Sequence, residues 1–134
     1  MNRIDDVQKA IDFMEKNLMT DICVDDVSKH VHSSKDYFQR VFYIVTGCTI
    51  SEYIRNRRLA LAGQDLAFTK TKIIDITYKY MYESPESFTR AFTRLYGVSP
   101  SYVRTKKVIP EYFYPFKIQT IIKGGFNMNE KKMD

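Results

Sequence analysis

At 134 residues and 15.8 kDa the chain has room for one compact domain or two very small ones. Hydrophobic residues at 44% and charged residues at 28% are the balance of a folded globular protein, not of a disordered one. No stretch approaches the roughly 18 consecutive apolar residues of a membrane-spanning helix, and the acidic, amphipathic N-terminus lacks the layout of a secretory signal. Two cysteines, Cys23 and Cys48, are too few for a disulfide scaffold or a four-cysteine zinc site, so a reduced cytoplasmic location is expected.

The net charge of +5 is unevenly spread: residues 1–28 sum to −4, residues 29–107 to +8, and residues 108–134 to +1. A basic middle is the electrostatic footprint expected of a nucleic-acid binder, although on charge alone a solvated basic face fits as well.

In chain order, Val7, Ile11, Met14 and Leu18 form one apolar stripe at helical spacing and predict an amphipathic first helix. Residues 24–54 then fall without a gap on residues 74–104, fifty positions on, with eight identities in 31 pairs. The identities include Ser34/Ser84, Phe38/Phe88, Arg40/Arg90, Phe42/Phe92 and Gly47/Gly97. One or two would arise by chance, so the chain carries two copies of one supersecondary unit.

Each copy opens on a short helical segment, Val24–Val31 or Ile74–Met81, followed by a break at His32-Ser33 or Tyr82-Glu83. Ser34 and Ser84 are natural N-caps for a second helix, and Pro85 suits the first helical position, where no N–H is needed. That second helix is predicted to bury Phe38, Val41, Phe42 and Val45 in copy one, and Phe88, Ala91, Phe92 and Leu95 in copy two. Gly47 and Gly97 follow where a helix end favours a left-handed residue. Between the copies, Tyr53, Leu59, Ala62 and Leu66 predict a longer helix from about Thr49 to Phe68.

The fold class is therefore all-α: two helix-turn-helix units joined by a connecting helix. The first lobe spans about 1–47, the connecting helix about 49–68 and the second lobe about 71–107, with a short irregular or β-like tail over 108–134.

The second helix of such a unit can enter the DNA major groove with its N-terminal residues against base edges. With the phenylalanines inward, the outer face carries Lys35, Asp36, Gln39, Arg40 and Tyr43 in copy one and Glu86, Ser87, Arg90, Thr93 and Arg94 in copy two. The N-cap serines Ser34 and Ser84 complete the expected DNA-contacting set. Gln can pair bidentately with adenine and Arg with guanine, while Arg40 and Arg90 suit phosphates equally well. Asp36 and Glu86 favour the helix dipole, but phosphate repels them unless they accept from cytosine N4. Since the two faces differ, a monomer would read two different boxes about one DNA turn (~34 Å) apart, a site of roughly 20 bp.

Over about residues 5–107 the chain resembles the AraC/XylS family of bacterial transcription regulators. The resemblance rests on Phe38-Gln39-Arg40-Val41-Phe42, on Thr46-Gly47 with Tyr53, Arg58-Leu59 and Ala62, and above all on Ser84, Phe88-Thr89-Arg90-Ala91-Phe92 and Gly97-Val98-Ser99-Pro100 with Arg104. It implies a seven-helix, two-lobed domain that binds promoter DNA and usually activates RNA polymerase. It also implies base contacts at Asp36, Gln39 and Arg40 and at Glu86, Ser87 and Arg90. The chain departs from the family pattern at Met81-Tyr82, where Gly-Phe is usual, near His32, where glycine is frequent, and at Val103, where an aromatic is expected. Either the turn at Met81 takes a positive φ and carries strain, or the preceding helix runs on and the turn differs.

In the tail, Phe116 through Ile122 gives an imperfect strand signal. Lys123-Gly124-Gly125-Phe126-Asn127-Met128-Asn129 resembles the lead-in to a GyrI-like effector-binding domain. An effector ligand is expected only if such a domain exists in a longer protein, and a free strand edge would support at most a weak dimer of an otherwise monomeric chain. Tyr112, Phe113 and Tyr114 form a candidate exposed partner patch.

Other chemistry is poorly represented. His30 and His32 lie two apart and do not share a helical face, and Cys23 and Cys48 read as small, partly buried apolar residues. Asp5-Asp6 and Asp25-Asp26 suit helix starts better than acid–base catalysis. No phosphate loop or catalytic triad is present, so neither enzyme activity nor a cofactor is expected. The competing class is a helical protein-interaction module with a basic face. DNA binding should show a steep dependence on salt that such a module need not.

Overall fold

A computed structural model describes residues 3–108 and 113–115, and among these the secondary structure is seven α-helices. They are α1 (Arg3–Lys16), α2 (Val24–His30), α3 (Lys35–Thr46), α4 (Ile50–Phe68), α5 (Ile73–Lys79), α6 (Pro85–Tyr96) and α7 (Pro100–Lys106). The strand signal at 116–122, the motif at 123–129 and Tyr112 lie outside the described residues.

Two hydrophobic cores form, and α4 supplies both. Val7, Ile11, Met14 and Leu18 meet Phe38, Val41 and Phe42 in the first, closed by Ile50, Tyr53 and Ile54 from the N-terminal half of α4. The C-terminal half turns Leu59, Ala62 and Leu66 into the second, against Ile76, Phe88, Phe92 and Val103. Leu61 packs against both. Helix α4 is therefore wrapped rather than laid on one face, with α3 on one half and α5 and α7 on the other. Its start is fixed by a reciprocal cap: the Glu52 N–H donates to Thr49 Oγ1 at 3.0 Å, and the Thr49 N–H donates to Glu52 Oε1 at 2.9 Å.

Both helix-turn-helix turns use one backbone device. In the first, the His32 N–H donates to the Lys29 carbonyl and the Ser33 N–H to the Ser28 carbonyl, each at 3.0 Å. In the second, Met81 donates to Tyr78 and Tyr82 to Thr77, each at 3.1 Å. This paired closure of a helix end requires a left-handed residue, usually glycine; here His32 sits at φ 57° and Met81 at φ 70°. Of the two alternatives at Met81, the structure adopts the positive φ. Helices α3 and α6 end on Gly47 (φ 84°) and Gly97 (φ 78°), where that conformation carries no Cβ penalty.

Met81→Gly should raise stability in thermal unfolding by about 0.5–1 kcal/mol, since relief of side-chain strain outweighs the added chain entropy. Gly97→Ala should lower it by about 1 kcal/mol. A Cβ there would meet no atom within 4 Å, so the cost is purely conformational. An unchanged or lowered stability of Met81→Gly would mean that contacts of the methionine side chain offset the strain.

Three residues sit otherwise than their spacing predicts. Leu95 is not core but 38% exposed; Tyr96 makes that contact instead, its ring 4.9 Å from Phe92. Phe113 is not an exposed patch residue: it packs on the first core with its ring 6.0 Å from Tyr53, whereas Tyr114 is 69% exposed. Cys23 is exposed at the N-cap of α2, and Cys48 alone is partly buried. Val103 is buried where an aromatic was expected, leaving Tyr102 outside.

Charged residues fasten both lobes, with different partners in each. Glu15 and Asp65 stand fifty residues apart. Arg57 donates to both oxygens of Glu15, at 2.8 and 3.0 Å, and the Tyr53 hydroxyl donates to the same carboxylate at 2.7 Å. Asp65 accepts from Lys79 Nζ at 2.9 Å and from the Tyr80 hydroxyl at 2.8 Å. Arg58 donates to the Leu18 and Thr20 carbonyls, and Arg104 to those of Leu66 and Thr71, so each ties down the chain leaving α1 or α4.

Candidate nucleic-acid interface

Ser34 and Ser84 are the N-caps of α3 and α6. Ser34 Oγ accepts from the Tyr37 N–H at 3.3 Å and Ser84 Oγ from the Ser87 N–H at 3.1 Å, with Pro85 in the first turn. Lys35, Asp36, Gln39, Arg40 and Tyr43 are all exposed on α3, and Glu86, Arg90 and Arg94 on α6. Among the described residues, the side chains of Gln39, Arg90 and Arg94 make no hydrogen bond or ion pair and are available to a ligand. Arg40 lies 6.0 Å over the Tyr37 ring, and the Tyr37 hydroxyl accepts from Arg3 Nε at 2.9 Å. That contact orients one predicted site residue, and neither Tyr37 nor Arg3 was singled out by the sequence pattern.

Ser87 and Thr93 are placed differently, each half-buried. The Ser87 hydroxyl already donates to the Ser84 carbonyl at 2.9 Å and accepts from the Ser84 N–H at 3.3 Å. Its geometry serves the helix start, and α6 presents chiefly Glu86, Arg90 and Arg94 outward.

Between the lobes runs a groove of about 360 Å³, floored by Ser51, Ile54, Arg55 and Arg58 of α4 and walled by Ile22–Val24 and Tyr80–Tyr82. Burial pushes the Tyr82 hydroxyl above its ordinary pKa, opposed in part by the Arg55 and Arg58 charges. Burial likewise lowers the pKa of Arg58. Among the described residues no group of His, Cys, Asp and Glu could hold a metal, and the His30 ring stacks on Phe13 at 4.2 Å. No helix of the described residues is long and apolar enough to cross a membrane.

Two lobes on one shared helix, each with a capped, outward-facing second helix, define a tandem helix-turn-helix DNA-binding domain. A family described as "Helix-turn-helix domain" matches residues 27–106. The chain is 41% identical over 102 residues to the transposon Tn10 TetD protein of Escherichia coli, covering 76% of this chain and 74% of that protein. It is 36% identical over 98 residues to the HTH-type transcriptional activator AarP of Providencia stuartii, covering 73% of each. Among solved structures, an AraC-type transcriptional regulator from Chromobacterium violaceum superposes with a TM-score of 0.73 at 24% identity, over 80% of this chain and 96% of that one.

The chain belongs to the AraC-type helix-turn-helix family. It is a DNA-binding transcription regulator whose ligand is double-stranded DNA, and its family and fold are not those of enzymes.

Proposed function

We propose that this regulator activates transcription as a monomer, setting α3 and α6 into two successive major-groove segments of one promoter. The observation that carries this reading is the single α4 shared by both cores, which couples two differently decorated second helices within one chain. Gln39, Arg40 and Arg90 read bases; Lys35, Tyr43 and Arg94 position the domain on the duplex beside the capped termini at Ser34 and Ser84. Asp36 and Glu86 stabilise their helix starts and accept from cytosine N4 where one is offered. Ser87 contributes mainly through the helix start, and Thr93 adds a contact from its half-buried position. Activation, through contact with RNA polymerase, is supported by the description of AarP as a transcriptional activator.

Selection of duplexes from a random library by the full chain at physiological salt tests this. An asymmetric site of two unlike boxes about one turn (~34 Å) apart is the expected result. A palindromic site would mean that two copies bind, and a single box that one lobe docks without reading.

A further inference from the structure

The outer stripe of α3 does not end at Tyr43. Ile44, absent from the expected contact set, is 79% exposed, and Tyr43 beside it is 55% exposed. Asp36, Gln39, Arg40, Tyr43 and Ile44 together line one shallow concavity on this helix, polar at the N-terminal end and apolar at the other. An isoleucine so far out of the core gains nothing from folding, since its side chain stays in water in the free protein. The one apolar feature on base edges in the major groove is the C5-methyl of thymine. The second copy supplies an internal comparison: fifty residues on, Tyr43 and Ile44 are replaced by Thr93 and Arg94, and α6 has no such apolar end.

We infer that Ile44 is a specificity-determining residue that packs on a thymine methyl in the box held by α3, with no counterpart in the box held by α6. The inference rests on α3 being a reading helix, as proposed above. Ile44 covers the methyl while Gln39 and Arg40 hold base edges nearer the helix start, so thymine is favoured over cytosine at one edge of that box.

The test uses duplexes enriched by the full chain, with each thymine replaced in turn by deoxyuridine, which removes the methyl and leaves the pairing intact. One replacement in the α3 box should weaken binding about fourfold, the value of one methyl-sized apolar group. Ile44→Ala should bind the thymine duplex with the same loss and be indifferent to that replacement. Ile44 lies outside both cores, so the variant folds as the parent does. If no uracil position distinguishes the parent from Ile44→Ala, the inference is overturned. Should Gln39→Ala still lose base preference in that box, only the role of Ile44 fails; if it does not, the reading of α3 fails too. Unchanged DNA affinity of Ile44→Ala with reduced transcription would assign the residue to a protein partner instead, and also overturns the inference.

Discussion

Arg57→Ala will lower the unfolding free energy by about 3 kcal/mol, measured by urea denaturation, the low end of the cost of breaking a buried ion pair. Arg57 is only 4% exposed, and besides its two bonds to Glu15 it donates to the Phe113 carbonyl at 2.7 Å. Alanine leaves the Glu15 carboxylate facing Tyr53 without its cation and frees the carbonyl that holds Phe113 against the first core. Glu15 keeps 24% of its side-chain exposure, and residual hydration holds the cost below that of a fully buried pair. Combining Glu15→Gln with Arg57→Met should be milder than Arg57→Ala alone, because no uncompensated charge remains. A loss under about 1 kcal/mol for Arg57→Ala would show that water replaces the guanidinium easily, and that the bridge orients α1 and α4 without stabilising them.

The second large effect falls on DNA. Arg90→Ala should weaken binding to the selected site by about 1–3 kcal/mol and relax preference at one guanine, with Arg40→Ala doing the same in the other box. Both side chains are exposed in the free protein, so the loss will appear in affinity with little change in stability. Titrations over a range of salt separate the two roles of an arginine. A base reader changes which sequences bind, whereas a phosphate contact weakens all duplexes alike and reduces the salt slope by about one. Uniform weakening would therefore demote Arg90 to positioning. The Tyr37 ring beneath Arg40 restricts its guanidinium before DNA arrives, so Tyr37→Ala should reduce the Arg40-dependent preference while leaving that of Arg90 intact.

Much of the fold was legible in the sequence because its signals are local. The stripe Val7–Leu18, the serines at 34 and 84 and the glycines at 47 and 97 each report a helix face, a start or an end within a few residues. The fifty-residue repeat then joined those reports into two units. The burial of Phe38, Phe42, Phe88 and Phe92 follows from the same period. Periodicity failed at Leu95, where the last turn of α6 packs Tyr96 against the core, and at Phe113, whose partners Tyr53 and Arg57 lie more than fifty residues earlier. The exposed residues of α3 and α6 follow by elimination, as whatever the core does not take. Ile44 escaped because an apolar residue on an outer face looks, in sequence, like a core residue slightly out of register.

By itself, then, the sequence determined the class of fold, the two-copy architecture and the helix faces turned outward, since all three depend on spacing along the chain. Tertiary structure alone decided how the lobes are held. The pairings of Glu15 with Arg57, of Asp65 with Lys79 and Tyr80, and of Arg58 and Arg104 with distant carbonyls join residues 14 to 42 positions apart. A charged residue that ends up buried is written like one that stays in water, and only the packing of α1, α4, α5 and α7 shows which of them lost solvent and needed a partner.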